Sequence, residues 1–134
     1  MSRVNSPRKG IKGELEARNL WREFYLDCER TFGQSRYGGE EAPDIGCPEM
    51  NKHWYVEVKR YNKVYSAIVE KWIAKAIKEH RIYCTREGVA PQLVLMIRED
   101  NNDWHLKNIT HSIGAGWLLW QQFKDQYLSK ESEG

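Results

Sequence analysis

No apolar run in this 134-residue sequence approaches the roughly 20 residues of a membrane-spanning helix. The basic, polar first residues also lack the apolar stretch of a secretory leader. A soluble chain acting in the cytoplasm is therefore expected. Cysteine is sparse. Cys28, Cys47 and Cys84 are odd in number, widely spaced and form no C-x-x-C pair, which argues against a zinc knuckle and for reduced, structural thiols. His53, His80, His105 and His111 show no metal-ligand spacing. No internal repeat or linker is visible. What is abundant is charge and aromatic surface, including six Trp, which excludes a disordered or low-complexity class. The expectation is one domain over residues 10–134, preceded by a flexible basic arm over residues 1–9.

The net charge of +2 says little, but its distribution is uneven. Arg3, Arg8, Lys9 and Lys12 precede the first acidic residue, Glu14. From Lys59 to Arg86 there are eight Lys/Arg against only Glu70 and Glu79. Acidic residues collect instead around Glu40, Glu41 and Asp44, at Glu99, Asp100 and Asp103, and at the end of the chain. A basic surface with an acidic spot set into it suits a phosphate-backbone binder that holds a metal. The same lysines also fit a solvated helix face.

Hydrophobic periodicity predicts the elements. Ala17, Leu20, Trp21, Phe24 and Cys28 follow helical spacing and predict a helix from about Gly10 to Phe32. Glu14 falls on that inward stripe, either interacting with the helix N-terminus or bound by a partner or metal; Glu16 falls well off it. Residues 33–41 read as a loop. Ala42 to Cys47 reads as a short strand, Pro48 to Lys52 as a turn, and His53 to Tyr61 as the central strand. Lys63 to Thr85 reads as a second helix, with Ile68, Val69, Trp72, Ile73, Ala76 and Ile77 inward and Lys71, Lys75 and Lys78 as a basic line. Leu93 to Ile97 predicts a strand buried on both faces, and Trp104 to Ile109 an edge strand. Ile113 to Leu128 predicts an aromatic helix, for core packing or for self-association. The fold class is α/β, a mixed sheet flanked by helices.

One stretch carries chemistry. Pro43-Asp44 is followed, after a short spacer, by Glu57-Val58-Lys59. On a strand Glu57 and Lys59 share a face, about 7 Å apart, while Trp54, Val56 and Val58 take the other. Two carboxylates with a lysine beside them are the parts that Mg²⁺-assisted phosphodiester hydrolysis needs.

These residues resemble the motif of the PD-(D/E)XK nuclease superfamily. Lys9-Gly10-Ile11-Lys12-Gly13-Glu14 at a helix start is similar to the opening of archaeal-type or phage-encoded Holliday junction resolvases. The resemblance implies a restriction-endonuclease-like αβββαβ core and a homodimeric, Mg²⁺-dependent endonuclease acting on branched DNA, with Mn²⁺ as a substitute. It implies that Asp44, Glu57 and the Val58 carbonyl bind the metal, that Glu14 contributes through the metal or its waters, and that Lys59 positions the attacking water. It places Ser35 and Arg36 in a loop that contacts DNA; Lys9, Lys12, Arg60 and Lys63 are further candidate backbone contacts. It implies neither a small-molecule cofactor nor a membrane. Other nucleases on the same core, and a non-catalytic nucleic-acid-binding protein, remain alternatives at this stage, and RNA is not excluded as the polymer.

Overall fold

Two strands with both faces covered form the spine of the structure, a computed structural model that describes residues 7–31, 41–110 and 116–128. β3 (Trp54–Tyr61) and β4 (Gln92–Glu99) run parallel, in register from Trp54 opposite Gln92 to Tyr61 opposite Glu99. A parallel pair requires a long crossover, supplied by helix α2 (Ser66–Glu87), which ends at Gly88 in the left-handed conformation. The other strands are short: β1 (Glu29–Arg30), β2 (Ile45–Gly46), β5 (His105–Asn108) and β6 (Leu118–Leu119). Sheet order follows chain order, β1 to β6, and every pairing but β3–β4 is antiparallel. With helix α1 (Pro7–Trp21) in front, the order α1–β1–β2–β3–α2–β4 reads αβββαβ. The α/β class expected from the sequence, with a mixed sheet flanked by helices, is the one observed.

Alternation along β3 decides which helix covers which face. Trp54, Val56 and Val58 join Val94 and Met96 in a core that includes Ala17 and Trp21 of α1. Tyr55, Tyr61, Leu93, Leu95 and Ile97 face the opposite way and meet Trp72, Ala76 and Tyr83 of α2. Trp21 is the hub of the first core. Its ring centroid lies 5.8 Å from Trp54, 5.5 Å from Trp120 and 5.9 Å from Phe123. Its Nε1–H points at Met96 Sδ, 3.1 Å away.

The strand expected over 42–47 is only Ile45–Gly46, and the strand expected at the edge over 104–109 is covered by β6. Two expected helices are also cut short, both for the same reason. The first helix runs from Pro7 to Trp21, not Gly10 to Phe32. Phe24 and Cys28 extend the apolar spacing because they pack on the same core from a turn; the stripe records burial, not helix. The expected helix over 113–128 is replaced, within the described residues, by β6, a one-turn helix α3 (Trp120–Phe123) and a π turn (Lys124–Leu128). Trp120, Phe123 and Tyr127 pack against Trp21 and Trp54, so these rings serve the core. Residues 1–6 of the expected arm lie outside the described residues. Among those described, no helix is long and apolar enough to cross a membrane.

Candidate functional site

β2 is only two residues long, so β3 runs past its end and leaves an open sheet edge. Val56 accepts a hydrogen bond from the Asp44 N–H at 2.9 Å, while its ladder partner is Ile45. Two consecutive residues thus address one residue of β3, the arrangement of a β-bulge, which re-aims side chains. The bulge turns the Asp44 carboxylate along β3, where Oδ2 accepts the Val58 N–H at 2.7 Å. The Thr31 hydroxyl donates to the Pro43 carbonyl, and the Thr31 N–H donates to the Asp44 carbonyl at 3.0 Å. The Pro-Asp corner is therefore held from both sides.

A polar cleft of about 360 Å³ opens at this edge. Glu14, Asp44, Glu57 and Lys59 all line it, as the sequence predicts, together with Lys75 and Glu79. Glu57 is 8% exposed and accepts no hydrogen bond from any described residue. Lys59 forms no ion pair with a described carboxylate; its Nζ lies 5.7 Å from the centroid of the Trp72 ring. Burial first, then the Glu14 charge, raise the Asp44 carboxyl to about 7, despite the Val58 hydrogen bond and Lys59. Burial first, then Asp44, raise Glu57 well above the carboxylate range. Two neighbouring, partly desolvated carboxyls hold on to protons that a cation would displace.

That donor set fits a divalent metal of the Mg²⁺ kind. Mg²⁺ is usually held by one or two carboxylates with waters and substrate phosphate, not by an all-protein cage. The Val58 N–H faces Asp44, and in a strand a residue's carbonyl leaves on the same edge as its N–H. Val58 O is thus the main-chain oxygen available beside them.

Glu14 stands back from this pair. Its Oε1 accepts from Arg30 Nε at 2.8 Å, so β1 fixes the carboxylate that α1 delivers. α1 comes close because residue 13 is glycine: a Cβ there would lie 2.7 Å from the Arg60 Cβ. Arg60 lines the same cleft, is 11% exposed, and meets Glu16 at 3.3 Å and Asp100 at 3.4 Å, so it also ties α1 to the sheet. Glu16 lies off the apolar stripe as expected, and it is half-buried between two arginines. Arg60 and Arg98 are opposed in the parallel register, and Glu16 Oε1 meets both.

Lys12 and Lys63 are exposed and remain free of such constraints among the described residues. Ser35, Arg36 and the side chain of Lys9 lie outside the described residues. Glu79 is the cleft residue the sequence reading missed; Lys75, read there as part of a basic line, approaches it at 3.9 Å and is 68% exposed. A signal existed. Glu79 sits three, four and seven residues from Ala76, Tyr83 and Trp72, the buried line of α2, an unusual place for a carboxylate. No protein-family model, curated protein or solved structure matches the chain.

Proposed function

We propose that the chain is a Mg²⁺-dependent, structure-selective DNA endonuclease of the Holliday junction resolvase type, working as a homodimer in the cytoplasm, or in the host cytoplasm if phage-encoded. The observation that carries the reading is the Asp44 carboxylate, turned by a bulge onto the Val58 N–H so that it enters one polar cleft with Glu57 and Lys59.

In this reading Asp44, Glu57 and the Val58 carbonyl hold the metal. When bound, the cation supplies Lewis-acid polarisation of the scissile phosphate. Lys59 orients the attacking water and offsets negative charge that builds on the phosphate. Trp72 limits where the Lys59 ammonium can settle, and Arg30 keeps Glu14 at the rim. Lys75, Lys12 and Lys63 meet the DNA backbone, which fixes position without reading bases. Two symmetric nicks in a four-way junction call for two sites related by a two-fold axis.

The test is cleavage of labelled four-way junction, nicked duplex, linear duplex and single strand, in Mg²⁺ and in EDTA. Wild type, Glu57→Ala and Lys59→Ala are compared. Paired symmetric junction cuts that vanish in EDTA and in Glu57→Ala, with Lys59→Ala binding but at least about 10²-fold slower, support the proposal. Cuts mainly in linear or single-stranded DNA move the chain to another nuclease branch. Tight binding with no metal-dependent cleavage of any substrate leaves a non-catalytic binding protein.

A further inference from the structure

The sequence spaces its cysteines widely, but the sheet brings two of them together. β1 and β2 pair with Glu29 opposite Gly46 and Arg30 opposite Ile45. Extending that register by one residue sets Cys28 opposite Cys47. The hydrogen-bond phase follows from the Thr31 N–H donating to the Asp44 carbonyl. Arg30–Ile45 is then a non-hydrogen-bonded pair, Glu29–Gly46 a hydrogen-bonded one, and Cys28–Cys47 non-hydrogen-bonded again.

The main chain on both sides agrees. The Cys28 N–H donates to the Tyr25 carbonyl at 3.0 Å, and the Cys28 carbonyl accepts from Arg22 Nε at 2.9 Å. The Cys47 carbonyl accepts from the Asn51 N–H at 2.9 Å. All three bonds lead away from the opposing strand. At non-hydrogen-bonded positions the Cα atoms approach to about 4.5 Å and the side chains are closest, a separation a disulfide can span.

The two thiols are not equivalent. Cys28 is buried in the core around Trp21; burial first, then the neighbouring Cys47, push its thiol up to about 12. Cys47 is half-buried and lines a second cleft, also about 360 Å³, with Arg30, Asn51 and Lys52. A small reagent reaches Cys47 first. Cys84 lies elsewhere, on α2, with its Sγ 3.4 Å from His80 Nε2.

We propose that Cys28 and Cys47 are a redox-active pair that closes to a cross-strand disulfide when the chain meets a peroxide. The Cys47 thiolate attacks one peroxide oxygen; the O–O bond breaks, and the departing hydroxide takes up the thiol proton as water. Cys47 is left as a sulfenic acid. The Cys28 sulfur then attacks Cys47; the S–S bond forms, the S–O bond breaks, and the hydroxide leaves with the Cys28 proton as a second water. Two thiols lose two electrons and the peroxide gains them. The bridge ties β1, whose Arg30 holds Glu14, to β2, which follows Asp44 directly.

The test uses the full chain, treated with hydrogen peroxide, alkylated and digested for mass spectrometry. The expected result is a cross-linked peptide pair containing Cys28 and Cys47 and an intact mass lower by two hydrogens. Melting temperature rises by about 5 °C, because the closed loop constrains the unfolded chain, and dithiothreitol reverses it. Cys47→Ser abolishes the bridge and Cys84→Ser leaves it intact. Cys47 is half-exposed, so the test does not depend on whether a Cys28 variant folds. Three thiols still open to alkylation, a bridge through Cys84, or Cys47 oxidised to sulfinic acid beside a free Cys28 would each overturn the proposal.

Discussion

The Val58 amide donates to Asp44 Oδ2 at 2.7 Å. The peptide that links Glu57 to Val58 thereby aims the carboxylate that shares their cleft. A side chain aimed by the strand's own main chain needs no further partner to keep its direction. The bulge at Asp44-Ile45 makes this possible, since a regular ladder would not turn Asp44 toward Val58.

Stability should fall as pH rises. Burial and Glu14 hold the folded Asp44 carboxyl at about 7, and Glu57 moves the same way. The folded chain therefore keeps protons that the unfolded chain has lost above the ordinary carboxylate range. The associated stability is complete below that range and is lost as pH climbs to about 7. In EDTA, thermal melts from pH 5 to pH 8 should decline, and Asp44→Asn should remove roughly 2 kcal/mol of that decline. An unchanged slope in Asp44→Asn would place its source elsewhere.

Glu79 adds to the negative field on both Asp44 and Glu57. Glu79→Gln should lower the pH at which Mn²⁺ binding is half complete by about half a unit. Titration followed by the Mn²⁺ spin signal measures this. Glu87→Gln, in the second cleft, is the control and should leave the midpoint in place. Equal midpoints in wild type and Glu79→Gln would remove Glu79 from the site.

Metal substitution should separate binding from chemistry. Mn²⁺ should restore cleavage to EDTA-stripped protein. Ca²⁺, with its larger and looser shell, should support junction binding with cleavage at least about 10²-fold slower. Gel retardation beside a cleavage time course reads both quantities; equal rates in Ca²⁺ and Mg²⁺ would count against two-carboxylate coordination.

Two glycines of α1 should respond oppositely to alanine. At Gly13 the new Cβ would meet the Arg60 Cβ at 2.7 Å, and overpacking should cost about 1–3 kcal/mol. At Gly10 nothing lies within 4 Å, so helix propensity should dominate and stabilise by up to about 1 kcal/mol. Urea denaturation of the two variants measures both. A neutral Gly13→Ala would mean that α1 does not need this close approach.

Much of the site was legible because strand alternation is a local property. Trp54, Val56 and Val58 on one face and Glu57 and Lys59 on the other follow from a period of two, and both faces appear as read. Glu14 was legible as an inward carboxylate, but its partner Arg30 was not, since their contact joins residues 16 apart in sequence. The pairing of Arg60 was not legible, because charge alone does not reveal whether a guanidinium is already paired. Its partners Glu16 and Asp100 come from a helix and a turn distant in the chain.

The sequence by itself determined the α/β class, the doubly buried strand β4, the alternation along β3 and the chemistry of the Asp44, Glu57 and Lys59 side chains. These depend on periodicity and residue type, which local chain geometry converts directly into structure. β1 lies in a stretch that reads as helix and was not legible. The tertiary structure decided where the first helix stops, that Trp120, Phe123 and Tyr127 belong to the core, that Arg60 is a tie, and that Glu79 joins the site. It also decided that Cys28 faces Cys47. Each of these rests on sheet register or on which helix covers which face, and those are set by long-range packing of surfaces whose sequence separation no local pattern encodes.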